Sequence, residues 1–97
     1  MNVIINRKQP TYDCGITVDG TPLMLTAVSK NGFDALTNLG KNSKLTDVYE
    51  FVGKILNKNT EHIVIPQEKV DELDYITVAE LLKGYMAFLR GFSTDPN

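Results

Sequence analysis

"TYDCGITVDGTPLMLTAV", Thr11 to Val28, is the stretch whose reading decides the fold. Two runs rich in apolar and β-branched residues flank Asp19-Gly20, and a two-residue Asp-Gly linker between such runs specifies a type I′ hairpin turn, since both central positions need positive φ. The turn sets a register: Val18 with Thr21, Ile16 with Leu23, Cys14 with Leu25 and Tyr12 with Ala27. These pairs share one apolar face. The other face carries Thr17 with Pro22, Gly15 with Met24 and Asp13 with Thr26, and is more polar. Pro22 falls at a non-hydrogen-bonded site, so its missing N–H leaves that edge locally unpaired. Upstream, residues 1–10 are an arm or an extra strand. Within them Asn2–Ile5 ("NVII") either adds a third strand to the hairpin or reaches another subunit.

Beyond Val28 the periodicity changes from strand to helix. Ser29 is a candidate N-cap for a short helix through "FDALTNLG", with Phe33, Leu36 and Leu39 inward and Gly40 as its stop. A second helix in "LTDVYEFVGKILNK", started by Thr46 or Asp47, puts Val48, Phe51, Val52 and Ile55 on one stripe, with Tyr49 and Leu56 beside it. "NKNTEHIVIP" reads as a loop with a brief extended piece at His62–Ile65. Pro66 suits the first turn of a short helix through "QEKVDEL".

The last helix, "YITVAELLKGYMAFLRGF" from Tyr75 to Phe92, has the strongest local signal. Thr77 and Glu80 have the spacing of a capping box, with Ile76 and Leu81 placed to form the hydrophobic staple. At about 100° per residue, Val78, Leu82, Tyr85 and Leu89 form one stripe. Leu81, Phe88 and Phe92 flank it on one side, Ala79 and Met86 on the other. This arc is wider than a one-sided surface helix requires. Either the helix is central and covered twice by its own chain, or one flank is left for a partner. Gly84, Ala87 and Gly91 give it a smooth edge where another backbone could approach.

The fold class is therefore α+β: an N-terminal hairpin, with a candidate third strand, followed by a small bundle of three to four helices ending in a long amphipathic one. Ninety-seven residues make a single domain, residues 1–97, with one modest core and a loose tail at 93–97. Hydrophobic content of 42% and charged content of 23% are those of a soluble globular chain. No apolar run approaches a membrane span and the N-terminus lacks signal-peptide order, so a cytoplasmic location is expected.

Net charge is −2, distributed as 0 over residues 1–29, +2 over 30–60 and −4 over 61–97. No stretch provides the basic footprint that phosphate binding needs, so nucleic acid is not an expected partner. The lone Cys14 reads as a small buried hydrophobe. His62 is the only histidine, and Asp71, Glu72 and Asp74 lack the glycine and later glutamate of a calcium loop. They read as solvated charges near a helix end, and His62 as a loop residue. With no phosphate loop, zinc motif or nucleophile elbow in the sequence, the expectation is a protein without catalytic residues, metal or cofactor.

"ITVDGTPLMLTAVSKNGFDALTNLG", "VYEFVGKIL" and "VDELDYITVAELLKGYMAFLRG", in this order over roughly residues 12–92, resemble the small tail assembly chaperones of long-tailed (siphovirus-type) bacteriophages and prophages. The resemblance implies a non-enzymatic protein of the infected bacterial cytoplasm, absent from the mature virion. It implies that the protein binds the tape measure protein, helps tail tube protein assemble around it, and self-associates. A chain ending in "GFSTDPN" looks like the short form of such a chaperone. Under that reading Ala79, Leu81, Met86, Phe88 and Phe92 are the candidate partner-binding residues. The alternative is a small phage-encoded inhibitor or adaptor that binds a host protein.

Overall fold

The computed structural model describes residues 10–39 and 43–93. Two antiparallel strands, β1 (Thr11–Val18) and β2 (Thr21–Thr26), are followed by helices α1 (Lys30–Asn38), α2 (Leu45–Leu56), α3 (Gln67–Asp71) and α4 (Tyr75–Ser93). The arrangement is α+β with the long helix last, as expected. Among the described residues no helix is long and apolar enough to cross a membrane. Asn2–Ile5, Gly40 and positions 94–97 lie outside the described residues, and with them the third strand, the glycine stop and the end of the tail.

The hairpin turn has the expected chemistry, with Asp19 at φ 50° and Gly20 at φ 81°. The register beyond it differs. Val18 faces Thr21 and Thr17 faces Pro22, but Asp13 faces Met24, Tyr12 faces Leu25 and Thr11 faces Thr26. Between these two blocks Cys14, Gly15 and Ile16 stand against Leu23 alone. The irregularity is a bulge built on Gly15, at φ 80°, whose amide donates to the Asp13 carboxylate at 3.0 Å. Only glycine adopts that φ at no steric cost. A slip of two residues leaves every side chain on its original face, whereas a slip of one exchanges the faces. Tyr12, Cys14, Ile16 and Val18 therefore still point to the core, although Tyr12 meets Leu25 and not Ala27.

The segment after α2 joins the other edge of β2. Thr26 N–H donates to the Lys58 carbonyl at 3.0 Å and Thr60 N–H to the Met24 carbonyl at 2.9 Å, around a bridge between Leu25 and Asn59. Two asparagines then shape the expected loop by acting as surrogate backbone. Asn57 donates to the Gly53 and Ile65 carbonyls and accepts from Ile65 N–H. Asn59, itself buried, donates to the Leu56 and Ile63 carbonyls and accepts from Ile63 N–H. At the loop tip His62 takes the left-handed conformation, φ 59°.

The helix starts show which capping groups win. Ser29 caps α1 as expected, accepting from Gly32 N–H. Leu39, extended, ends α1, and its N–H returns to the Leu36 carbonyl. Helix α2 begins at Leu45, ahead of Thr46 and Asp47, and the Asp47 carboxylate accepts the Lys44 N–H at 3.1 Å. Pro66 sits just outside α3 as its N-cap. Helix α4 corrects the sequence reading: its cap is Asp74, whose carboxylate accepts both the Thr77 N–H (3.0 Å) and the Thr77 hydroxyl (2.6 Å). Thr77 is thus the third helical residue, and Ile76, 71% exposed, staples nothing. Leu73 and Val78 stand at the true staple positions.

The core unites Leu23 and Leu25 of β2, Val52, Ile55 and Leu56 of α2, Val70 of α3, and Val78, Tyr85 and Leu89 of α4. Helix α4 packs on β1 and on α2, while α2 also meets β2 and α3. Each fully buried Leu, Ile or Val contributes about 1.5–3 kcal/mol relative to exposure.

Candidate functional site

The two flanks of α4 have different fates. On the Leu81 side, the chain covers its own helix. Leu81 is only 3% exposed and belongs to the core, so in this fold it is not available to a partner. Phe88 is half-buried and stacks on Tyr12 of β1, with ring centroids 5.5 Å apart and planes at 29°. Tyr85 joins them, its ring 6.0 Å from Tyr12 and 5.9 Å from Phe88. Its hydroxyl donates to the Thr26 carbonyl at 2.7 Å. The side chain of Phe92 lies outside the described residues.

Gly84 admits Tyr12 to this arrangement. A β-carbon there would collide with the Tyr12 hydroxyl, while one at Gly91 meets nothing within 4 Å. The smooth edge of the helix thus serves packing within the chain at Gly84. Gly84→Ala is expected to be less stable than Gly91→Ala by about 1–3 kcal/mol, even though alanine is the better helix former at both positions. Urea unfolding of the two variants checks this.

The opposite flank is open. Ala79 is exposed and Met86 half-buried, and both are joined by residues that the sequence reading did not place there: Tyr75, 56% exposed, and Leu82, half-buried. Positions 75, 79, 82 and 86 follow the i, i+4, i+7, i+11 spacing of a continuous helical stripe, about 16 Å long. The spacing was legible. Taking Thr77 as the cap pushed Tyr75 out of the helix and hid it. Leu45, 57% exposed, lies one turn before Tyr49, whose hydroxyl donates to the Leu73 carbonyl at 2.7 Å.

The acidic groups between α3 and α4 are occupied with structure. Asp71 accepts from the Gln67 amide at 3.1 Å, Glu72 meets Lys69 at 3.9 Å and Asp74 caps α4. The Thr77 hydroxyl, then its N–H, holds the Asp74 carboxyl below the usual range. Glu61 is likewise lowered, by the Thr60 hydroxyl and then the Met24 N–H. Burial pushes the Cys14 thiol up, and its Sγ points to the Leu23 carbonyl at 3.6 Å. That is the environment of a packed thiol and not of an activated one. Among the described residues no cluster of three or more His, Cys, Asp and Glu could hold a metal ion. A shallow apolar notch of about 130 Å³, lined by Ile16, Val18, Leu23, Ile65 and Leu73 among others, opens between the hairpin and α3.

Comparison with family models, curated proteins and solved structures finds no significant match to the chain.

Proposed function

We propose that the chain is a non-enzymatic tail assembly chaperone of a long-tailed bacteriophage or prophage. It binds the tape measure protein in the bacterial cytoplasm, keeps that long client from aggregating while tail tube protein assembles around it, and does not remain in the virion. The phrases spread over residues 12–92 suggest the family. The observation that carries the binding role is the open flank of α4, where Tyr75, Ala79, Leu82 and Met86 make one continuous apolar stripe. An apolar stripe at helical spacing is what a helix-on-helix client contact uses, and polar surroundings keep such a surface soluble. The exposed charged residues of α4 beside the stripe, Glu80, Lys83 and Arg90, supply those surroundings.

The client surface moves with respect to the sequence reading. Ala79 and Met86 stay in it, Tyr75 and Leu82 join it, Leu81 leaves it for the core, and Phe88 is taken up by its stack on Tyr12. The test is co-expression with the tape measure protein of the same phage genome. Soluble yield of the client should rise, and the two should co-purify. A client that stays insoluble beside a folded, unbound chain overturns the reading and directs the search to host proteins.

A further inference from the structure

Every element except α1 is tied to another by hydrogen bonds. Strand β1 pairs with β2, and the Tyr85 hydroxyl of α4 donates to the Thr26 carbonyl of β2. The Gln67 amide of α3 donates to the Tyr49 carbonyl of α2 at 3.0 Å, and the Tyr49 hydroxyl reaches the Leu73 carbonyl between α3 and α4. Among the described residues no hydrogen bond or ion pair joins α1 to another element: the bonds of Gly32 and Thr37 stay within the helix and its Ser29 cap. Helix α1 is also weak by itself. Its nine residues are fewer than the roughly 12–15 at which an isolated helix becomes marginal in water. Asn31 and Gly32 in the first turn are poor helix formers. With no acidic residue in the first turn and no basic one in the last, no side-chain charge complements the helix dipole, and Lys30 opposes it. Apolar contact alone keeps α1 in place. Leu36 is its one buried residue, and Phe33 and Leu39 pack half-buried beside it, whereas the rest of the buried core comes from β2, α2, α3 and α4.

We infer that α1 is a detachable strap. It opens as a unit while the hairpin, α2, α3 and α4 stay folded, and its opening uncovers the apolar surface that Phe33, Leu36 and Leu39 seal. Local opening draws on the elements with the fewest buried contacts and bonds, and α1 has fewer of both than its neighbours. Off the core it lacks the strength to persist as a helix, so undocking and melting are one event. The fold thereby holds a further apolar face in reserve, separate from the α4 stripe, and exposes it only when the strap opens. The inference stands whether or not the chain is a chaperone.

Native-state hydrogen exchange of the whole protein, followed by NMR at rising urea below the unfolding midpoint, tests this. The amides of residues 34–38 should be protected at least about tenfold less than those of Ile55 and Tyr85. Their exchange should also depend little on urea, because opening the strap exposes little surface. Equal protection and an equal urea slope in the two sets overturn the inference, since α1 then opens only with the whole domain. Leu36→Asp gives a second reading by placing a charge at the buried position of α1 and driving the strap off. Far-ultraviolet circular dichroism should lose only the signal of one short helix. The near-ultraviolet tyrosine signal and a cooperative urea transition should remain, and binding of the dye ANS should rise. A Leu36→Asp chain that loses both the tyrosine signal and the transition also overturns the inference, because the remainder then does not stand without α1.

Discussion

Tyr85→Ala costs the protein about 3–5 kcal/mol of folding free energy, a large share of the ~5–15 kcal/mol that holds a domain together. The ring is fully buried where α4 crosses the hairpin, in edge contact with Tyr12 and tilted against Phe88. Removing it leaves a cavity on the flank that the chain seals for itself. Tyr85→Phe keeps the ring and loses only the bond to the Thr26 carbonyl, so about 1–2 kcal/mol is expected. The same hydroxyl gives stability an alkaline limit. Burial pushes its pKa up to about 12, against about 10 in the unfolded chain. Above pH 10 the unfolded state releases a proton that the folded state retains, so stability falls from pH 10 toward 12. Tyr12, also raised by burial, adds a contribution of the same sign. Urea midpoints across this range should therefore drop more steeply for the native chain than for Tyr85→Phe.

Asn59→Ala is the second large effect, at about 2–4 kcal/mol. Its amide answers the Leu56 carbonyl and both polar groups of Ile63, at 2.8, 2.8 and 2.9 Å. Truncation leaves partially buried donors and acceptors without partners, at about 1–3 kcal/mol each when water cannot replace the side chain. The loop that closes against β2 loosens with it. Asn59→Asp separates this explanation from simple loss of volume. A carboxylate still accepts from Ile63 N–H but turns negative charge toward two carbonyls. Its pKa must therefore rise on folding, and the variant should regain stability as pH falls through that pKa, which Asn59→Ala cannot do. Asn57 makes the same kind of bonds at the surface, where water substitutes, and its alanine variant should cost much less.

These two sites mark what was legible. The hairpin, its turn, its apolar face and the order of helices followed from local chemistry: Asp19-Gly20 demands positive φ, and Ser29 had a serine's usual use for a free helix N–H. The register beyond the turn did not follow. A bulge at Gly15 keeps the alternation of faces intact, so alternation carries no trace of it. The cap of α4 was misplaced because Thr77 and Asp74 both have capping side chains. The charged carboxylate takes the role and makes the threonine its donor, a competition that sequence spacing does not decide. Asn59 was invisible, since a buried asparagine depends on which carbonyls the tertiary fold brings to it. The site was half legible. The width of the apolar arc on α4 announced surplus surface, but which flank the hairpin covers depends on Tyr12 lying over Gly84, a contact across most of the chain.

Helix α4 seals one flank with its own hairpin, and the other is the client surface proposed above. The most direct test pairs Ala79→Arg with Phe88→Asp in a tape measure pull-down, with thermal unfolding of each purified variant. Ala79→Arg should melt close to the native chain and lose the client. Phe88→Asp should lose the fold, because it places a charge against Tyr12 and Tyr85. A folded Ala79→Arg that still retains the client, or a folded Phe88→Asp that loses it, would contradict the account and place the binding surface on the opposite flank or elsewhere.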